Sequence, residues 1–145
     1  MTIVDDLLAH PGVYVGLDTS ARSEHGGAAR IVVAPLPGGA GVTLDYEIFN
    51  PAHPDRIRGH SEHTVIARTD AGRNIMVIGH EHATNLTILH ETQPGTFELD
   101  GEKSEYPMKV VVSMPESGTL RHAWWYGPAD GEAEEQDVAV VNRLS

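Results

Sequence analysis

Five of the nine histidines of this chain lie within residues 59–91, which read GHSEHTVIARTDAGRNIMVIGHEHATNLTILHE. Side chains at alternate positions of a strand, such as His60 and Glu62, point to the same face. A carboxylate that orients an imidazole in a partly dry site is a common arrangement for proton transfer. We therefore predict acid–base chemistry, with His80 as the catalytic acid or base and Glu62 as its orienting partner. An isomerisation, a cyclisation or a dehydration of a small molecule would use such a pair.

The same histidines support a second interpretation as ligands of a divalent metal. His80 and His82 stand two positions apart in His-Glu-His, and His60 would join them from the neighbouring strand. The cupin fold also begins its metal site with H-x-H, but it needs a Glu about four residues later. Here no Glu stands between Ala83 and Thr87, so the cupin motif fails. The plainest alternative is a set of partly solvated histidines near strand ends.

Turn chemistry predicts which of these side chains share a face. Asp70-Ala71-Gly72 suits a type I turn followed by a left-handed glycine, the common three-residue hairpin loop. The predicted opposed pairs are then Arg68 with Asn74, Ile66 with Met76, Thr64 with Ile78, Glu62 with His80, and His60 with His82.

The next connection, Ala83-Thr84-Asn85, is predicted to take the same form, with Asn85 at positive φ. His82 then faces Leu86, His80 faces Ile88 and Ile78 faces His90. We assign to the barrel interior the face that collects His60, Glu62, Thr64, Ile66, Met76, Ile78, His80, His82, Leu86, Ile88 and His90. His63 points the other way.

The rest of the chain predicts the elements that hold this segment. Residues 2 to 9 form a short helix, because Ile3, Val4, Leu7 and Leu8 share a face and Pro11 stops it. From Gly12 onward, short segments of period two alternate with turns, which gives about ten strands and no crossover helix. We therefore predict a single all-β domain over residues 1–145, an antiparallel up-and-down β-barrel of about ten strands with a short N-terminal helix. A sandwich is the alternative, and short sequential hairpins favour the closed barrel.

Two further strands supply candidate walls for an internal pocket. His122, Trp124 and Tyr126 alternate along one strand, and Tyr46 stands in another between Leu44 and Ile48. With Met76, Ile78, Ile88 and the histidines His60, His82 and His90, they form the predicted ligand-binding set. Ordinary core packing is the alternative for the aromatic residues.

Composition narrows the classes of partner. Ten Lys and Arg stand against 21 Asp and Glu, a formal net charge of -11, which disfavours nucleic acid and anionic membrane surfaces as partners. The chain has no cysteine, which excludes disulfides, thiolate nucleophiles and zinc–thiolate sites. The acidic N-terminal segment differs from a secretory signal, and we expect a cytoplasmic protein. The oligomeric state is left open, with a homodimer as one alternative.

The strand–turn–strand segment TVIARTDAGRNIMVIG, with the N-terminal helix and the ten meandering strands, resembles the calycin superfamily. It is similar to the central hairpin of lipocalin-like bacterial barrels related to nitrobindins. The resemblance implies a barrel with an internal ligand cavity. Nitrobindins bind haem through a histidine near the C-terminal strands, and this chain has no histidine after His122.

We therefore expect the barrel to hold a small, largely apolar organic molecule, whose polar group meets the His/Glu cluster. The chemistry requires no cofactor. The first alternative is a non-enzymatic carrier or sensor that binds haem or a divalent metal through the histidines. A further alternative is an interaction domain whose interior is filled by its own side chains.

Overall fold

The computed structural model describes residues 2–20, 27–49, 60–81, 83–99 and 107–145. In chain order the elements are the helix α1 (Ile3–Ala9) and strands β1 (Gly12–Ser20) and β2 (Gly27–Pro35), a 3-10 turn (Pro37–Gly39), then β3 (Gly41–Phe49), β4 (His60–Arg68), β5 (Asn74–His80), β6 (Thr87–Gln93), β7 (Thr96–Glu98), β8 (Met108–Glu116), β9 (Thr119–Tyr126) and β10 (Glu134–Arg143).

The ten strands of the described residues close into one antiparallel barrel. Each strand pairs with the next one along the chain, and β10 pairs with β1 to complete the circle. The predicted all-β barrel with one short N-terminal helix is confirmed, and the sandwich is excluded. Closure gives every strand two partners, so the barrel has no open edge strand.

The helix α1 begins at a capping box. The Thr2 hydroxyl accepts a hydrogen bond from the Asp5 N–H, and the Asp5 carboxylate accepts one from the Thr2 N–H. Ile3, Val4 and Leu7 are buried in the core, and the helix packs on β2, β3, β4 and β8. It therefore covers one end of the barrel, as its apolar face requires. Among the described residues, no helix is both long and apolar enough to cross a bilayer.

The first predicted hairpin is confirmed. Gly72 has φ 78°, and the Thr69 and Arg73 backbones pair across the turn. The observed register opposes Arg68 with Asn74 and Glu62 with His80, as predicted. Met76 and Ile78 are buried on the inner face with Ile66. The pair of His60 with His82 lies outside the described residues, because His82 is not among them.

The predicted register of β6 is wrong. Ile78 pairs with Thr87 and Met76 with Leu89, so β6 is shifted by an odd number of residues. None of the described non-glycine residues has positive φ, so Asn85 does not form the expected left-handed turn. The shift places Leu89 in the core and leaves Ile88 51% exposed, while His90 pairs with Ile75 on the outer side. This register keeps the His90 imidazole out of the apolar middle of the barrel, where an unpaired polar group is costly.

Strand β1 buries the less apolar of its two faces. Tyr14 is fully buried and Asp18 is 5% exposed, whereas Leu17, between them, is 68% exposed. Tyr14 fills the interior below α1, and its hydroxyl donates a 2.6 Å hydrogen bond to the His10 carbonyl. Anchoring Tyr14 inward fixes the alternation of the whole strand, which turns Asp18 toward the interior as well.

Candidate functional site

Most of the polar side chains of the interior gather at the end of the barrel opposite α1. Strands β1, β3, β5 and β9 end there, and β4 and β10 begin there, because neighbouring strands run antiparallel. We call this region the polar end, defined by Asp18, Tyr46, His60, Glu62, His80, His122, Trp124, Tyr126 and Asp137. The interior between it and α1 is mostly apolar, with Leu44, Ile66, Met76, Ile78 and Val112 at most 1% exposed.

Glu62 is the centre of the polar end. Its carboxylate is fully buried and contacts three side chains from two strands. Oε2 lies 3.2 Å from Nε2 of His60, and Oε1 accepts a 3.4 Å hydrogen bond from Nε1 of Trp124. Nε2 of His122 lies 3.7 Å from Oε1. A buried carboxylate with this many partners is held in one position.

The two histidines beside Glu62 have opposite pKa shifts. Burial disfavours the charged form of His60, but its hydrogen bond to Glu62 and the negative charge of that carboxylate outweigh burial and raise the His60 pKa. Burial lowers the pKa of His122 despite the nearby Glu62 charge. Burial alone would raise the Glu62 pKa, but the contacts with His60 and His122 lower it overall. At neutral pH the pair of Glu62 and His60 is therefore ionised more readily than His122.

His122 is positioned as a neutral base. It is 2% exposed, and its ring stacks on Tyr46 with centroids 5.1 Å apart. The Glu62 carboxylate at Nε2 favours the tautomer with its proton on that nitrogen, which leaves the lone pair on Nδ1. Nδ1 is buried and has no hydrogen-bond partner among the described residues.

Asp18 and Tyr46 form a second buried pair across the interior. The Tyr46 hydroxyl donates a 2.7 Å hydrogen bond to Oδ2 of Asp18. Burial raises the pKa of Asp18 to about 6, and the charges of Asp137 and Glu62 act in the same direction. Burial and the neighbouring Asp18 charge raise the Tyr46 pKa, so the phenol keeps its proton.

Asp137 completes the polar end at the beginning of β10. Its Oδ2 accepts a 2.7 Å hydrogen bond from the Tyr126 hydroxyl. Ala139, two residues later, is buried and pairs with Asp18, so Asp137 and Asp18 are diagonal neighbours across the β1–β10 ladder. Neither aspartate was predicted from the sequence. The available signal was that Asp is uncommon inside strands, and both lie in strand-like segments.

The structure brings most of the predicted site residues onto the inner face. They are Tyr46, His60, Glu62, Met76, Ile78, His80, His122, Trp124 and Tyr126. His82 lies outside the described residues. The inward placement predicted for His90 and Ile88 is wrong, because the register of β6 turns both outward.

The predicted couple of Glu62 and His80 is opposed across the β4–β5 ladder, but within the described part of the chain the imidazole hydrogen-bonded to Glu62 belongs to His60. The His80 ring lies 6.1 Å from the His60 ring and 6.4 Å from the Trp124 ring, measured between centroids. His80 therefore borders the cluster, and His60 takes the place predicted for it.

The predicted metal site of His60, His80 and His82 stays a prediction. The described ranges contain no group of three or more His, Cys, Asp or Glu side chains arranged to hold a metal ion. One of the three predicted ligands, His82, is outside those ranges.

A groove of about 380 Å³ lies on the outer side of the barrel beside the polar end. Its lining is mostly small and polar, and consists of Ser61, His63, Gly79, His80, Glu81, Ala83, Thr84 and Asn85. His80 therefore borders both the groove and the interior cluster. The His63 side chain is 79% exposed, which agrees with its predicted outward direction.

The polar end can hold a ligand's polar group and move protons on it. Glu62 has two imidazoles beside it, one favouring the charged form and one the neutral form, inside an apolar barrel. Groups whose environments push their pKa values apart are typical of acid–base sites. No protein-family model matches the chain, and no curated protein matches it.

Proposed function

We propose that this protein binds a small, largely apolar organic molecule inside the barrel and carries out acid–base chemistry on its polar group. The observation that carries the proposal is the buried Glu62 carboxylate between His60 and His122. Burying Glu62 and His122 in a core is costly, and apolar residues would serve stability as well or better. Mostly apolar walls with a few convergent polar groups are the composition of a ligand site.

The two histidines have complementary roles in this proposal. His122 accepts a proton from the ligand at Nδ1 and then returns that proton to another atom of the ligand, so His122 ends in its starting tautomer. His60 helps to keep Glu62 ionised, and the Glu62 charge stabilises the His122 imidazolium between the two transfers. The ligand loses one proton and regains it elsewhere, so the net reaction is an isomerisation. This is the acid–base chemistry expected from the sequence, with His122 in the role expected for His80.

The likeness to the calycin superfamily is part of the same proposal. A ten-stranded antiparallel meander that closes on itself, with a short N-terminal helix over one end, supports a lipocalin-like barrel. Such barrels hold a ligand between the strands and admit it at one end. The cytoplasmic location and the homodimer stay predictions from the sequence.

The binding step is tested by titrating ¹⁵N-labelled protein with 1-hexanol, a small apolar molecule with one polar group. We expect saturable shifts of the imidazole signals of His60 and His122. His63, on the outer face of the same strand as His60, is the internal control and keeps its signal. If hexanol moves none of the three signals, or moves that of His63 alone, the proposal is wrong.

A further inference from the structure

Hydrogen-bond acceptors exceed donors at the polar end. The Tyr46 hydroxyl already donates to Asp18, the Tyr126 hydroxyl to Asp137, and the Trp124 indole to Glu62. The groups that keep acceptor capacity include the two aspartates and Nδ1 of His122.

Negative charge also exceeds positive charge in this region. The region contains three carboxylates, those of Asp18, Glu62 and Asp137. His60 is hydrogen-bonded to the carboxylate of Glu62. Within the described part of the chain, neither aspartate forms a salt bridge with a Lys, Arg or His side chain. Asp18 is only 5% exposed, and a buried carboxylate without a cation is unfavourable. An incoming cation would remove that cost.

His122 gives an independent indication of a ligand. Its side chain is more than nine-tenths buried, with 2% exposed, and lies in the same part of the interior. Its ring stacks on Tyr46, whose hydroxyl donates to Asp18. Its Nδ1 has no hydrogen-bond partner among the described residues. A buried polar atom without a partner is rare and calls for a group that bonds it.

We propose that the ligand carries a protonated amine, which Asp18, Asp137 and Nδ1 of His122 receive. This inference rests on the proposed function and names the chemical class of the ligand. An ammonium group has three N–H donors and one positive charge, which matches three acceptors and an excess of carboxylates. The faces of Trp124 and Tyr126, on the same inner side, add favourable cation–π surface. The apolar remainder of the molecule would extend toward Met76 and Ile78.

The amine class is distinguished from the proposed function by comparing hexylamine with 1-hexanol, which have the same apolar chain. Hexylamine is protonated at neutral pH, since alkylammonium groups have pKa values of about 10. We expect calorimetric titration at about 0.15 M salt to give at least about tenfold tighter binding for the amine. Asp18→Asn should reduce the amine affinity to near that of hexanol.

Asp130→Asn is the matched control. Asp130 is exposed in the loop between β9 and β10, and its substitution removes the same overall charge from the protein. Amine binding that survives Asp18→Asn and Asp137→Asn, or falls equally in Asp130→Asn, would overturn the assignment to the polar end. If hexanol and hexylamine bind equally, the amine class is wrong and the proposed function stands. If neither binds, the proposed function fails and the amine inference fails with it.

Discussion

Glu62 Oε2 lies 3.2 Å from His60 Nε2, so the buried carboxylate pairs with an imidazole two residues away on its own strand. His80, directly opposite Glu62 in the ladder, borders the cluster without being the hydrogen-bonded partner. Residues at i and i+2 of a strand share a face, and here that geometry decides which histidine the carboxylate orients.

Glu62→Gln should lower the pKa of His60. The hydrogen bond and charge of Glu62 hold that pKa above its ordinary value against the opposing effect of burial. With the carboxylate replaced by an amide, only burial and the more distant Glu81 and Asp137 charges remain. A histidine-detected NMR titration should show this fall. Glu116→Gln, an exposed change at the other end of the barrel, should leave it unchanged, and an unshifted His60 in Glu62→Gln would contradict the pairing.

Asp18→Asn should stabilise the protein at neutral pH. The folded-state pKa of Asp18 is raised from 3.8 to about 6, so the folded state binds this proton more tightly than the unfolded chain does. The cost of the charge therefore begins above pH 3.8 and is complete above about 6. We expect the free energy of unfolding to rise by about 1–3 kcal/mol near neutral pH, because the amide oxygen still accepts from Tyr46.

Urea unfolding at about pH 7.5 and at about pH 4 measures this difference, which should shrink toward zero at the lower pH. Asp130→Asn, on an exposed loop, should change stability little at either pH. If Asp18→Asn instead lowers the free energy of unfolding at neutral pH, the Asp18 carboxylate stabilises the folded state and the prediction is wrong.

Leu89→Ala and Ile88→Ala test the register of β6. Leu89 is fully buried beside Met76, whereas Ile88 is 51% exposed on the outer face. Removing the buried side chain should cost about 2–5 kcal/mol of unfolding free energy, and removing the exposed one less than about 1 kcal/mol. Chemical denaturation of both variants gives the comparison. The reverse order would restore the register predicted from the sequence.

The fold and one hairpin could be predicted because their signals are local. Alternation and turn residues identify strands one by one, and Gly72 at positive φ fixes the register of β4 against β5. The connection after His80 has no glycine before Thr87, so its turn carries no comparable signal. Its register depends on burying Leu89 against Met76, which is a property of the assembled core.

Half of the polar end depends on contacts between distant strands. Glu62 is on β4 and Trp124 on β9, five strands apart in either direction around the barrel, so the pair meets only because the barrel closes. The aliphatic face of β1, with Val15 and Leu17, resembles a core face in sequence, yet it points to solvent. The burial of Tyr14 beneath α1 determines which face of β1 points inward, and hydrophobic periodicity alone does not indicate that direction.

The most direct test of ligand binding at the polar end uses the two tryptophans of the chain, which are sequence neighbours on opposite faces of β9. The Trp124 indole N–H donates to Glu62 inside the barrel, whereas Trp125 lies on the outer face with Lys109 Nζ 4.6 Å from its ring centroid. Trp124→Phe and Trp125→Phe assign the two indole signals in a ¹H–¹⁵N spectrum. Titration with 1-hexanol should shift the Trp124 signal to saturation and leave the Trp125 signal in place. An unmoved Trp124 signal, or a shift of Trp125 alone, would contradict a binding site inside the barrel.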